Sequence, residues 1–182
     1  FRNIVFEESF QYFGGFVMNK VDSISPLPAR EIHACWIGDS ITQGSGSSFI
    51  HWNFAAQASQ ILGWDDPDII GQGGTGYVAI NAGQGTGTFG SHALDDIINP
   101  TVIVVAGGRN DVGQSAGVVQ AAALSLFSRL RATYPGVPVI ALAPWFSTAA
   151  DVTAVGVEIA AAAAAAGIPY VDGIGETWTT GT

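Results

Sequence analysis

The sequence predicts an α/β fold in which a five-stranded parallel sheet is covered by helices on both faces. Three observations carry this expectation. Five short apolar runs, each bounded by turn residues, follow one another along the 182 residues. Stretches with helical spacing of apolar residues separate them, which is the alternation that builds a parallel sheet. The chain is also long enough for one domain with a core flanked by two helical layers.

The elements follow in order. Residues 1–30 do not fit the alternation: Ile4 to Phe6 and Phe13 to Met18 read as a short antiparallel pair, and Ser23 to Pro28 as a linker. The division is therefore an N-terminal β appendage at 1–30 and a main domain at 31–182. Ile32 to Ile37 is the first core strand, followed by a helix over Phe54 to Leu62 that places Phe54, Ala58, Ile61 and Leu62 on one face. Asp68 to Ile70 and Val102 to Val105 are the second and third strands. A helix then carries Val118, Val119, Ala122, Leu126, Leu130 and Tyr134 at its spacing, before the fourth strand at Val137 to Leu142. The alanine-rich stretch Ala149 to Ala166 reads as a helix that Gly167 and Pro169 stop, and Ile168 to Val171 is the last strand.

Composition excludes several function classes. Apolar residues make up 48% and charged ones 12%, which describes a globular chain rather than a disordered one. The net charge is -9 and Lys20 is the only lysine, so little is available to neutralise phosphates, and nucleic acids and anionic membranes are not expected as partners. The longest apolar run, Ile159 to Val171, is mostly alanine and is broken by Gly167 and Pro169, so no membrane span is expected. Cys35 is the one cysteine, which permits no internal disulfide and leaves the compartment open. The sequence begins at Phe1, and no targeting signal is read from it.

Three polar loops carry the chemistry. Gly38-Asp39-Ser40-Ile41-Thr42-Gln43-Gly44 directly follows the first strand, placing a serine hydroxyl where open α/β sheets bind ligands. After the second strand, Gly71-Gln72-Gly73-Gly74-Thr75-Gly76 satisfies the Gly-x-Gly-x-x-Gly pattern of dinucleotide sites. The glycines continue to Gly87, however, where that fingerprint needs a helix, so no dinucleotide cofactor is expected. The loop instead offers bare backbone N–H groups to a ligand. After the third strand comes Gly107-Gly108-Arg109-Asn110-Asp111: the Asn110 amide can donate into the same crevice, and Asp111 can accept from backbone groups to hold the loop.

Together the three loops resemble the SGNH hydrolases, the GDSL-type esterases and lipases. Gly38-Asp39-Ser40-Ile41-Thr42 is similar to the family's first block, Gly74 to the glycine of its second, and Gly108-Arg109-Asn110-Asp111 to its third. The resemblance implies a flavodoxin-like three-layer αβα fold and a serine esterase acting on short acyl esters or acetylated carbohydrates. It implies Ser40 as nucleophile, with an oxyanion hole made by the Ser40 and Gly74 backbone N–H groups and the Asn110 side chain.

One part of the family's pattern is missing from the sequence. The Asp-x-x-His block that supplies the general base has no counterpart: the residues three places before His33, His51 and His92 are Arg30, Ser48 and Phe89. The expectation is that this block lies on an omitted or cleaved segment or on a separate peptide or chain, and that residues 31–182 alone are a truncated, weakly active domain. The alternative is a non-catalytic binding or structural module on the same scaffold, for example one that recognises carbohydrate.

Arg109, Trp145 and Phe146 are candidate substrate-binding residues on the same rim. Trp52, Trp64 and Trp178 read as packing residues. The acidic clusters Asp65-Asp66-Asp68 and Asp95-Asp96 lack the ligand pattern of a calcium loop, and no His or Cys spacing suits zinc, so neither a metal nor a cofactor is expected.

Overall fold

Five short strands, all parallel, form one sheet in the order β2-β1-β3-β4-β5. They are β1 (Ala34–Gly38), β2 (Asp68–Gly71), β3 (Val102–Ala106), β4 (Val139–Leu142) and β5 (Tyr170–Val171). The computed structural model describes residues 32–48, 52–64, 67–92, 97, 99–144 and 150–173 of the chain. The β appendage expected over residues 1–30 lies outside them, as do Trp145, Phe146, Trp178, His51, Asp65, Asp66, Asp95 and Asp96.

Strand side chains alternate between two cores, as the period of two requires. Cys35, Ile37, Ile103, Val105, Val139 and Ala141 lie in one core with residues of α4 (Val118–Thr133) and α5 (Ala150–Ala166). Ala34, Trp36, Val102 and Val104 lie in the other, against α2 (Phe54–Ile61). Two single-turn helices, α1 (Ser40–Gln43) and α3 (Phe89–His92), complete the described α-helices, and 3-10 turns lie at Ala82–Gln84 and Arg109–Asp111. The architecture is the three-layer α/β arrangement that the alternation of elements implies.

Local chemistry explains where helices start and stop. Asn53 caps α2 by accepting the Ala56 N–H at 2.7 Å. Glu158 of α5 takes the Gly117 and Gln120 N–H groups at 2.9 and 3.0 Å, capping α4 and tying the two long helices together. Gly167, with φ of 66°, ends α5 in the left-handed conformation.

Several boundaries and one helix face differ from the sequence reading. β1 begins at Ala34 rather than Ile32, β4 at Val139 rather than Val137, and β5 holds only Tyr170 and Val171. Of the expected α2 face, Phe54 and Ala58 pack against the Trp36 core, but Ile61 is 84% and Leu62 55% exposed. The fully buried α2 positions are Ala55 and Ser59, because the Trp36 indole N–H donates to the Ser59 hydroxyl at 2.8 Å and thereby admits a polar residue to the core. Val118 likewise faces solvent, since α4 turns Val119, Ala123, Leu126, Phe127 and Leu130 inward.

Candidate active site

Pairing register brings three loops to one level. Gly38 at the end of β1 pairs with Gly71 of β2 on one side and Ala106 of β3 on the other. The segments that follow therefore leave the sheet side by side. The chain runs from β1 outward to β2 and then crosses to β3, so this is the point where the winding reverses and open α/β sheets form their crevice.

Ser40 is the first residue of α1, and Asp39 caps that turn by accepting the Ile41 N–H at 2.9 Å. The turn lies directly on the strand ends. A Cβ at Gly38 would fall 2.0 Å from Thr42 Oγ1 and 2.4 Å from the Ala106 carbonyl oxygen, so only glycine lets α1 sit there. Asp39 is buried, and that burial raises its carboxyl above the usual carboxylate range; Asp111 raises it further, while the Ile41 N–H and the Arg109 guanidinium pull it back.

The second loop is held against the first. The Gly73 N–H donates to Gln43 Oε1 at 3.0 Å, and a Cβ at Gly73 would lie 3.6 Å from that of Ser40. Gly74 has φ of 76°, and a Cβ there would come within 2.9 Å of Asn81 Nδ2. No helix opens at Gly76; the chain continues through an irregular loop to a single 3-10 turn at Ala82–Gln84.

The third loop braces the second. Asn110 donates from Nδ2 to the Thr75 carbonyl at 2.9 Å, which uses one of its two N–H bonds. Asp111 is fully buried and accepts three backbone N–H groups, from Tyr77, Val78 and Ala79 at 2.8, 2.9 and 2.8 Å. Its carboxylate accepts from backbone groups as expected, but the loop it holds is the second one and not its own.

Ser40, Arg109 and Asn110 line one open cleft of about 700 Å³ together with Ile41, Gly44, Ser45, Gly46, Ser47, Trp52, Asn53 and Phe54. Neither the Ser40 nor the Gly74 backbone N–H donates a hydrogen bond among the described residues. Trp52, read from the sequence as a packing residue, is 55% exposed and forms part of the cleft wall.

His33 lies at the opposite end of the sheet. Its Nε2 is 3.2 Å from Asp68 Oδ2 and its Nδ1 3.2 Å from the Asn99 carbonyl, contacts that clip β1 to its neighbours. His92 ends α3. No cluster of metal-ligating side chains occurs among the described residues.

A family model for GDSL-like lipases and acylhydrolases matches residues 36–181, which takes in all five strands after the first two residues of β1. The chain belongs to the GDSL-like lipase/acylhydrolase family. Membership places it among enzymes of ester hydrolysis in general. Solved structures share its fold. One is an active-site mutant of a family two carbohydrate esterase from Clostridium thermocellum, with 17% identity over 82% of this chain and 55% of that one and a TM-score of 0.64. An acetyl xylan esterase from the rumen bacterium Butyrivibrio proteoclasticus gives 17% identity, 81% and 56% coverage and a TM-score of 0.54. The lipase/acylhydrolase of Enterococcus faecalis gives 16%, 78% and 75%, and 0.53. This GDSL-like chain spans just over half the length of the two carbohydrate esterases. Comparison with curated proteins by sequence finds no match.

Two polar residues of the GDSL-like site escaped the sequence reading, Gln43 and Asn81. Both act on the Gly73–Gly74 segment from a distance in the chain, Gln43 from 30 residues away. The one signal available was an amide side chain inside each glycine-rich loop.

Proposed function

We propose that the chain cleaves carboxylic esters through an acyl-enzyme on Ser40. The observation that carries this reading is that Ser40, at the start of α1, shares one cleft with Asn110, whose amide has a second N–H beyond the one given to Thr75; the reading assigns the Ser40 and Gly74 N–H groups as the other two donors. In the first step Ser40 Oγ forms a bond to the ester carbonyl carbon and gives its proton to a base. The carbonyl oxygen becomes an oxyanion that the three donors receive. The C–O bond then breaks, the alcohol leaves with the proton, and water releases the acid by the reverse sequence.

No histidine is among the described residues lining the cleft, so the reading assigns the proton acceptor to an Asp-x-x-His segment additional to the histidines of this sequence. The chain alone then works slowly, because a site without its base retains only the roughly 10³–10⁴-fold acceleration that the oxyanion hole and binding supply. The substrate class is short acyl esters or acetylated carbohydrates. Support comes from a cleft walled by Trp52, Asn53, Ser45 and Ser47, a surface with both a ring face and hydroxyl partners, and from the carbohydrate esterase and acetyl xylan esterase that share the fold. Arg109 lies on the same wall and is proposed as a contact for an oxygen-rich group of the substrate. Trp145 and Phe146 remain proposed as further substrate contacts.

Labelling with a fluorophosphonate tests the assignment. The expected result is one adduct by intact mass, mapped to Ser40 and absent in Ser40→Ala. No labelling even of a full-length chain that carries the Asp-x-x-His segment, with acetylated oligosaccharide still bound, would instead establish the non-catalytic module, the second reading that the lack of a histidine among the described cleft residues favours.

A further inference from the structure

We propose that Asn81 is the positioning residue that aims the Gly74 N–H into the cleft, with Gln43 as its counterpart on the other side of Gly73. The functional half of this inference, including the direction of the Gly74 N–H toward the cleft, rests on the oxyanion reading of the site; the hydrogen bonds that fix the peptide do not. A peptide unit is planar and trans, so the carbonyl of one residue and the N–H of the next point in opposite directions. The Gly73 carbonyl and the Gly74 N–H belong to one such unit. Asn81 Nδ2 donates to the Gly73 carbonyl oxygen at 2.9 Å and thereby turns the Gly74 N–H to the side away from itself.

The need for such a fixture follows from the sequence. A peptide between two glycines meets little steric resistance to rotating by half a turn, since neither residue has a Cβ to oppose it. In the rotated state the carbonyl would face the cleft, and a developing oxyanion would meet a negative dipole instead of a donor. Two contacts oppose this. Asn81 holds the carbonyl of that peptide, and Gln43 Oε1, on the same turn of helix that carries Ser40, fixes the preceding peptide by accepting the Gly73 N–H at 3.0 Å. Asn81 is itself anchored: its backbone N–H donates to the Thr86 carbonyl and its carbonyl accepts from the Thr86 N–H, both at 3.1 Å. Its Nδ2 also reaches Gln84 Oε1 at 3.1 Å.

Asn81→Asp is the decisive variant because it keeps the shape and reverses the hydrogen bond. A carboxylate cannot donate to the Gly73 carbonyl, but it can accept the Gly74 N–H of the rotated peptide. Turnover of p-nitrophenyl acetate is expected to lose about 10²-fold in kcat, the effect of removing one oxyanion donor, with KM unchanged. Hydrogen exchange at the Gly74 amide is expected to slow as that N–H turns onto the carboxylate. A kcat within twofold of wild type, or a loss carried by KM, would overturn the proposal, and so would an unchanged Gly74 exchange rate. Should Asn81→Asp not fold, Gln43→Met supplies the second test: it removes the acceptor for Gly73 and is expected to lower kcat about tenfold, a partial misplacement of the donor. Gln43→Glu, which restores an acceptor, is expected to recover most of that loss, and failure of this rescue would also overturn the assignment. A wild-type chain with no turnover at all refutes the esterase reading instead, and the Gly74 exchange comparison then decides the geometric claim alone.

Discussion

Replacing Asp111 by asparagine takes one carboxylate oxygen from a set of three backbone donors, and the structure allows the cost to be worked out. Oδ1 serves Val78 and Ala79, so the best orientation of the new amide keeps its oxygen there and turns Nδ2 toward the Tyr77 N–H, now donor against donor. Stranding that buried N–H costs about 1–3 kcal/mol, and weakening the two remaining bonds from charged to neutral acceptors costs about 1 kcal/mol more each. Removing a buried negative charge beside Asp39 returns part of this, leaving a net loss of about 3 kcal/mol. For a chain of this size the melting temperature should fall by about 6–12 °C. Asp111→Ala strands all three donors and should fall further. Thermal unfolding followed by circular dichroism measures both variants. A shift in Asp111→Asn smaller than about 2 °C, or one as large as that of Asp111→Ala, would refute the accounting.

Two other predictions concern neighbouring residues. Gly74→Ala places a side chain at φ of 76° and 2.9 Å from Asn81 Nδ2, so the loop must shift; ester turnover is expected to drop by about 10²-fold, and steady-state kinetics showing less than a threefold change would count against Gly74 as a donor. Asp39 carries a carboxyl that burial raises above its unfolded value of 3.8, so the folded chain keeps a proton that the unfolded chain has released. Its contribution to stability is therefore complete below pH 3.8 and is lost as pH rises through the folded value. Asp39→Asn keeps the acceptor for the Ile41 N–H but cannot titrate, so its urea midpoint should decline less between about pH 4 and pH 7 than that of the wild type, and parallel curves would contradict the assignment.

Much of this architecture was legible because it depends on local patterns. Each strand announced itself as an apolar run, and Gly167 marked the end of α5 where the structure places it. Ser40, Gly74 and Asn110 could be singled out because each sits just past a strand, and pairing Gly38 with Gly71 and Ala106 is what brings those points together. What stayed hidden depends on contacts between distant residues. Ser59 has no place on the apolar face expected for α2, and its bond from the Trp36 indole is what admits it to the core. Gln43 and Asn81 resembled ordinary loop amides, because nothing in their neighbourhood along the chain reveals that a single residue, Gly73, lies between them.

The alanine tract of α5 has a consequence for where the molecule is vulnerable. Ala162 and Ala163 are fully buried among α4 and the sheet, and Ile159, one turn earlier, stands so close to Gly108 that a Cβ there would lie 2.8 Å from its Cδ1. Methyl groups have almost nothing to lose by truncation, so this layer tolerates shrinkage and resists growth: a leucine at Ala163 would have to push the whole helix outward. That push would be transmitted through Ile159 to the ledge on which Arg109 and Asn110 stand. The rim of the cleft is thus sensitive to crowding in a buried layer behind it.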